Sequence, residues 1–157
     1  MPGPPRKADG YRRHSADGAI FSCRGGLFIR QTLALAIGGG AGAALRYAVG
    51  RLIGAHWGAA FPLATLLINL LGAFILGAVM AAALERSALS ATARLALGPG
   101  FCGGFTTFSS WMVDSYGLLA AGKLGAVAAN LLVSAVGGLL AVALGALSVR
   151  TMLRRQA

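Results

Sequence analysis

Charge is scarce in this chain. Only 11% of its 157 residues are charged and only four are acidic, whereas 57% are hydrophobic. Charged residues make up about a quarter of an average soluble domain, so the composition excludes an ordinary soluble protein and predicts a membrane protein. Cysteine and histidine are also rare, with two of each, and neither forms a CxxC pair or a cluster with metal-ligand spacing. A zinc site and a disulfide framework are therefore not expected.

Long apolar runs are present instead. Three are continuous, at residues 61–84, 95–121 and 124–149, and a fourth begins at Leu33, is interrupted by Arg46 and continues to Ile53. A spanning helix needs about 20 residues, so we expect an all-α membrane protein with four spans joined by short loops. Arg46 then lies inside or near the end of the first span. Because four spans enclose little interior of their own, we also expect an oligomer.

Both ends of the chain are polar and basic. We predict a disordered basic extension over residues 1–28, a four-helix domain over 29–150 and a basic tail over 151–157. With four spans the two termini share one side, where eleven basic residues fall, against only Arg51 and Lys123 on the other. The eleven are Arg6, Lys7, Arg12, Arg13, Arg24, Arg30, Arg86, Arg94, Arg150, Arg154 and Arg155. This bias predicts cytoplasmic termini, and its placement indicates lipid headgroups and not nucleic acid as the partner.

The few polar side chains inside the spans each have two interpretations. Arg46 either extends to the headgroups or attracts an anion at a water-filled entrance. Asn69 either makes an interhelical hydrogen bond or offers its N–H groups to an anion in a pore. Asn130, Ser134 and Gly138 recur every four residues on one face of the last span. They form either packing contacts or a track of donors along a pore.

The third apolar run contains an unusual segment, GPGFCGGFTTFSSW, at residues 98–111. Glycine, proline and threonine at this density predict a broken helix, which a membrane tolerates only where the backbone is buried in protein or lines an aqueous cavity. Carbonyls freed by the break suit a cation, whereas hydroxyl donors suit an anion. The carbonyls are those of Gly103, Gly104, Thr106 and Thr107, and the hydroxyls those of Thr106, Thr107, Ser109 and Ser110.

Two aromatic residues follow the break. Phe108 and Trp111 are three apart, so they share a helix face and can pack as a pair. The rings are either part of the core or present their electropositive edges to an anion. The first two spans contain no carboxylate, and Asp114 lies toward the end of the third. A proton-coupled exporter needs a buried acid, so the pattern favours passage of a small anion.

Three motifs together resemble one family, the Fluc/CrcB fluoride ion channels. They are GGGAGAALRY at residues 38–47, the spaced set Pro62, Thr65, Asn69 and Gly72, and GFCGGFTTFS at 100–109. The similarity covers about residues 30–148. It implies a channel and not an enzyme, formed by an antiparallel dimer with two fluoride pores at the subunit interface. It also implies location in the cell inner (plasma) membrane.

The resemblance assigns roles to residues at matching positions. It implies that the third helix breaks at mid-membrane and that the carbonyls of Gly103 and Thr106 hold a structural sodium ion on the dimer axis. Arg46 matches the vestibule arginine, and Asp114 stands where glutamate is usual. The fluoride pore is expected to contain Asn69, Thr107, Phe108, Trp111, Asn130 and Ser134, with Arg46 at its entrance.

This chain departs from the family pattern at three positions. Trp111 replaces a second phenylalanine, Asn130 stands where several members have tyrosine, and Gly138 falls where a further hydroxyl can occur. Two alternatives to a homodimeric channel remain. One is a four-helix transporter of the small multidrug type, and the other is a pore-deficient subunit that works only with a homologous partner.

Overall fold

The computed structural model of this chain describes residues 9–57, 61–85 and 89–155, with side chains described for 26–56, 61–84 and 89–155. These residues are helical apart from short connections, as expected for an all-α protein. The elements are α1 (Asp9–Trp57), α2 (Leu63–Glu85), α3 (Ala91–Leu95), a π-helical segment (Ala96–Cys102), α4 (Gly103–Phe105), α5 (Phe108–Ala120) and α6 (Leu124–Arg154).

Among the described residues, three stretches of helix are long and apolar enough to cross a bilayer. They are Gly26–His56 within α1, Leu63–Leu84 within α2, and Leu124–Arg154, which is the whole of α6. Each exceeds the roughly 20 residues that a span requires, so the chain is a membrane protein. The fourth expected span falls on residues 91–120, where no single helix is long enough because the backbone is interrupted.

The first helix is longer than the sequence indicates. Since α1 begins at Asp9, the helix is continuous across residue 28, where the division between extension and channel domain was expected. The assignment of residues 1–28 as a separate extension stays a prediction. Among the basic residues behind the predicted orientation, Arg6, Lys7 and Arg86 lie outside the described residues.

The broken span consists of two half-helices. The first half-helix comprises α3, the π-helical segment and α4, which follow one another without interruption over residues 91–105. Its middle is π-helical around Pro99, where the missing proline N–H removes one α-helical hydrogen bond. The backbone then becomes extended at Thr106 (ψ 159°) and Thr107 (ψ 117°) before α5, the second half-helix, begins at Phe108. The predicted break thus falls at residues 106–107.

Glycines bring α1 against the first half-helix. Gly38 of α1 lies against the carbonyl group of Ala96, and Gly42 lies against the carbonyl oxygen of Phe101. A side chain at either position would collide with these main-chain atoms. The small-xxx-small pair therefore forms a close helix contact, as such pairs do in membranes.

Close glycine contacts also join α2 to α6, and here each helix supplies one glycine. Gly77 of α2 lies against the carbonyl oxygen of Val142, and Gly145 of α6 lies against the carbonyl oxygen of Phe74. The remaining surface of α6 is largely apolar and exposed, as at Leu132 and Leu139. In a membrane such a face meets lipid or a second subunit.

Candidate functional site

The extended backbone at the break is held by a side chain of α2. Asn69 Nδ2 donates to the carbonyl oxygen of Thr107 at 3.0 Å, and the Thr107 N–H donates to Asn69 Oδ1 at 2.8 Å. The amide group therefore satisfies both main-chain polar groups of a residue that lies outside any helix. The interhelical hydrogen bond expected of Asn69 is present, and the Thr107 carbonyl expected to be free has a partner. A contact between Asn69 and an anion stays a prediction.

Hydroxyl groups cluster where α5 begins. Thr107 caps the helix, with its Oγ1 accepting from the Ser110 N–H at 3.1 Å. The same oxygen lies 3.1 Å from Ser110 Oγ and 3.3 Å from Ser109 Oγ. The first turn of a helix carries unpaired N–H groups and a partial positive charge. This end of α5 is therefore suited to an anion and not to a cation.

A cavity of about 360 Å³ connects the start of α5 to two arginines of α1. It is lined by Ala43, Arg46, Tyr47, Gly50, Arg51, Ala64, Thr65, Ile68, Thr107 and Ser110. Arg46 and Arg51 are the charged members of this lining, and Thr65, Thr107 and Ser110 add hydroxyls. The cavity thus joins two guanidinium groups to the positive end of a helix, an arrangement that attracts anions. Arg46 lies within the first span, and its role at the entrance of a pore stays a prediction, whereas Arg51 was expected only as a flanking charge.

The two aromatic rings after the break form a pair. Phe108 and Trp111 have ring centroids 5.6 Å apart with an interplanar angle of 71°, an edge-to-face arrangement. Phe108 is 70% exposed in the single chain, so its ring is not part of the subunit core. Trp111 is half-buried, and its Nε1–H donates to the main-chain oxygen of Asn130 at 3.3 Å. The pairing on one helix face is confirmed, and contact with an anion stays a prediction.

Two polar residues of α6, Asn130 and Ser134, have side-chain atoms buried inside the subunit. Asn130 is 0% exposed, and its Nδ2 donates to Ser115 Oγ at 2.9 Å. The Ser115 hydroxyl in turn donates to the main-chain oxygen of Trp111 at 2.8 Å. Asn130 Oδ1 and Ser134 Oγ are buried without a hydrogen-bond partner in the part of the chain that the structure describes. Their expected contact with fluoride stays a prediction, and the role of Ser115 was missed.

The two residues assigned to a sodium ion face a different space. Gly103 and Thr106 both line a cavity of about 660 Å³ between α2 and the first half-helix. Gly103 is exposed, and a side chain built there would meet nothing within 4 Å, so a second chain has room to approach. Main-chain oxygens are the ligand type that hard cations prefer. These residues therefore fit a sodium ion shared with a partner, although the ion itself is a proposal.

The one acidic side chain in the second half-helix has a hydroxyl partner. Thr65 Oγ1 of α2 donates to Asp114 Oδ2 at 2.6 Å. Both residues line a third cavity, of about 410 Å³, which Lys123 also lines. The sequence places Thr65 and Asn69 on one face of α2, and the structure shows what this face does. It holds α5 by two polar contacts, at Thr107 and at Asp114.

Comparison with known proteins assigns the family. The family described as CrcB-like protein, Camphor Resistance (CrcB) matches residues 33–146. The chain is 44% identical over 120 residues to the fluoride-specific ion channel FluC of Chlorobium chlorochromatii (strain CaD3), a match covering 76% of this chain and 92% of the relative. It is 42% identical over 114 residues to the fluoride-specific ion channel FluC of Roseiflexus sp. (strain RS-1), covering 73% and 92%.

A shorter match, to the fluoride-specific ion channel FluC of Thermus thermophilus, has 46% identity over 93 residues, or 59% of this chain and 74% of the relative. The range matched by the family includes Arg46, Asn69, the broken span and Ser134. These are the residues around which the site is built. The chain therefore belongs to the CrcB family.

Proposed function

We propose that this protein is a fluoride-selective ion channel that lets cytoplasmic fluoride leave the cell passively. The observation that carries the proposal is the cavity lined by Arg46, Arg51 and the start of α5 at Thr107 and Ser110. Its charged groups are cationic and its other polar groups include hydroxyl donors, so it attracts a small anion. The relatives named as fluoride-specific ion channels support fluoride as that anion.

The proposed path runs from this cavity along the second half-helix. An anion drawn in by Arg46 reaches Asn69 and Thr107 at the break, where hydroxyls and remaining N–H groups replace part of its hydration shell. It then passes the exposed ring of Phe108, beside Trp111, and approaches Ser134, whose buried hydroxyl has no hydrogen-bond partner among the described residues and can donate to an anion. Each group offers a donor or an electropositive edge, which is what a dehydrated anion requires. The role of Asn130 is treated separately below.

The channel is proposed to be an antiparallel dimer with two pores at the interface. Its broken span, residues 91–120, is proposed as the third of four spans in the plasma membrane, with the break at mid-membrane. Support comes from the exposed faces of Phe108 and α6, which a single chain leaves uncovered. The main-chain oxygens of Gly103 and Thr106 would hold a structural sodium ion with those of the partner. Bound there, the ion would offset the repulsion between the carbonyl oxygens that the two subunits bring together at the dimer axis.

Export needs no external energy source in this scheme. Fluoride enters cells as neutral HF, ionises and is trapped, and a negative interior drives the anion outward. The membrane potential contributes about 2.3 kcal/mol per elementary charge per 100 mV. An open anion path is therefore sufficient. Membership of the CrcB family favours this channel over the alternative of a small multidrug-type transporter.

Liposomes containing the purified full-length protein test the proposal. With valinomycin to balance charge, they should release fluoride far faster than chloride, as followed with ion-selective electrodes. Protein-free liposomes and the variant Leu139→Ile, on the exposed face of α6, serve as controls. Equal fluoride and chloride release, or a strict requirement for a proton gradient, would contradict the proposal.

The partner of each subunit is either a second copy or a homologous chain inserted the opposite way. The excess of basic residues on the side of the termini predicts that most copies insert with both termini in the cytoplasm. In that case a homologue of opposite orientation completes the pore. Accessibility labelling of a cysteine placed at each terminus, in cells with and without a second homologue, distinguishes a pair of identical chains from a pair with a homologue. An even split between inside and outside would refute the predicted single orientation.

A further inference from the structure

Three hydrogen bonds form a closed ring between α5 and α6. Trp111 Nε1 donates to the main-chain oxygen of Asn130, Asn130 Nδ2 donates to Ser115 Oγ, and Ser115 Oγ donates to the main-chain oxygen of Trp111. The single hydroxyl hydrogen of Ser115 is used on Trp111, so its oxygen must accept from Asn130. This fixes the orientation of the Asn130 amide. The ring begins and ends at Trp111.

The position of Asn130 argues against contact with a mobile anion. The residue is 0% exposed, and one N–H of its amide is already bonded to Ser115. Its other heteroatom, Oδ1, is a buried oxygen without a partner among the described residues, and such an oxygen accepts hydrogen bonds and repels an anion. Its chemistry is therefore directed at α5 and not at a pore.

This ring of hydrogen bonds also determines how the Trp111 indole contacts Phe108. Phe108 is 70% exposed and has an edge-to-face contact with the indole, which is itself anchored through Nε1. Rotation of the indole would lose the bond to Asn130 and the contact with Phe108 together. A phenylalanine at position 111 has no N–H and cannot be held in this way. The indole is thus held by the main-chain oxygen of residue 130, and the place of that oxygen beside α5 is fixed in turn by the hydrogen bond from the Asn130 side chain to Ser115.

We propose that Asn130 and Ser115 are positioning residues that hold the Trp111 indole and, through it, set the orientation of Phe108. Asn130 is not a fluoride ligand in this assignment. The effect on flux rests on the proposed fluoride path past Phe108, whereas the effect on the indole does not. The two parts are therefore measured separately, on the full-length protein.

A spectroscopic experiment tests the positioning without any ion flux. The chain has two tryptophans, so Trp57→Phe leaves Trp111 as the only indole. In that background, Asn130→Leu and Ser115→Ala should speed hydrogen exchange of the Trp111 N–H about threefold, the factor equivalent to an average intramembrane hydrogen bond of about 0.6 kcal/mol. Ser115→Thr, which keeps the hydroxyl, should restore the slow rate. Leu84→Ala, at an exposed position near the end of α2, is the matched control and should leave the rate unchanged.

Fluoride efflux from liposomes tests the consequence for the channel. Asn130→Leu should lower efflux about threefold in the parent, but should change it less than twofold when Trp111→Phe is already present. Equal losses in both backgrounds would show a general structural role and overturn the proposal. So would an indole exchange rate that neither variant alters. If the parent passes no fluoride, either alone or together with a homologous partner, the proposed channel function fails, and the exchange rates still decide whether Asn130 and Ser115 position the indole.

Discussion

Asn69 and Thr107 exchange two hydrogen bonds across the break in the third apolar segment, each supplying one donor and one acceptor. The pairing resembles that between two peptide groups of adjacent strands, except that one partner is a side-chain amide. Thr107 is buried and belongs to no helix, so without Asn69 its N–H and carbonyl groups would face low dielectric unpaired. The break therefore has a defined backbone conformation, which α2 holds through Asn69.

Replacing Asn69 by leucine should weaken both the fold and the flux. Each buried main-chain group left without a partner costs about 1–3 kcal/mol. We expect a lower melting temperature in detergent and at least a tenfold loss of fluoride efflux from liposomes, since about 1.4 kcal/mol corresponds to a factor of ten. Leu71→Val, an exposed position one half-turn away on α2, is the matched control. If Asn69→Leu melted and conducted like the parent, Asn69 would not be needed to hold the break at Thr107.

The ring edge of Phe108 gives a second prediction. Phe108→Ile keeps most of the apolar volume but removes the electropositive edge, so fluoride efflux should be lost while the protein still assembles. Size-exclusion chromatography reports assembly, and a fluoride electrode reports efflux. Trp111→Phe, by comparison, should preserve or raise efflux if the parent conducts, because the smaller ring leaves more room for the anion and does not depend on the anchor that a bulky indole needs. The assignment fails if Phe108→Ile conducts normally or if Trp111→Phe silences a conducting parent.

Arg51 should contribute to fluoride entry through its charge. It lines the same cavity as Arg46 but is exposed, so salt screens its effect. Arg51→Gln should reduce efflux more at about 10 mM than at about 150 mM ionic strength, because the Debye length shortens from about 30 Å to about 8 Å. Arg150→Gln, at the other end of the sequence, is the control. A reduction of equal size at both salt concentrations would refute electrostatic attraction as the cause.

The proposed sodium ion should act as a structural clamp. If the oxygens of Gly103 and Thr106 hold it between two subunits, replacing sodium by N-methylglucamine should lower efflux or dissociate the dimer. A sodium gradient, in contrast, should not concentrate fluoride inside liposomes, because the ion does not move with the anion. Fluoride accumulation driven by sodium would show coupled transport and would exclude the clamp.

The close contact between α2 and α6 predicts a difference between two glycines of one helix. Gly145→Ala places a methyl group against the Phe74 carbonyl, whereas Gly125→Ala meets nothing within 4 Å. The first should destabilise the protein by about 1–3 kcal/mol. The second should be neutral or stabilise it by up to about 1 kcal/mol, since alanine favours helix. Thermal melting in detergent compares them, and equal melting temperatures would contradict the contact.

Much of this architecture could be predicted from the sequence because the signals are local. Apolar runs indicate helices, and the Gly38–Gly42 pair indicates a close contact. The dense glycine, proline and threonine at 98–111 locate the break to within a few residues. The π-helical course around Pro99 was not predicted, because proline alone is equally compatible with a kink or a helix end.

The site was predicted less completely, because its contacts join distant parts of the chain. Asn69 was expected to bond either another helix or an anion, and only the fold shows that Thr107 is its partner. Ser115 was missed because a serine within an apolar helix carries no distinctive pattern. Arg51 was read as a flanking charge, and it shares a cavity with Arg46 only because α1 continues as helix to Trp57.

The two half-helices are fastened to the subunit in different ways. The first half-helix meets α1 through main-chain atoms at Gly38 and Gly42, a contact that no rotamer change can adjust. The second half-helix is attached at Thr107, Asp114 and Ser115 by directional hydrogen bonds. The first half-helix consequently has little room to shift relative to α1. The second half-helix depends on side chains at these three positions, so exchanging one of them can change its angle without altering the contact between the first half-helix and α1.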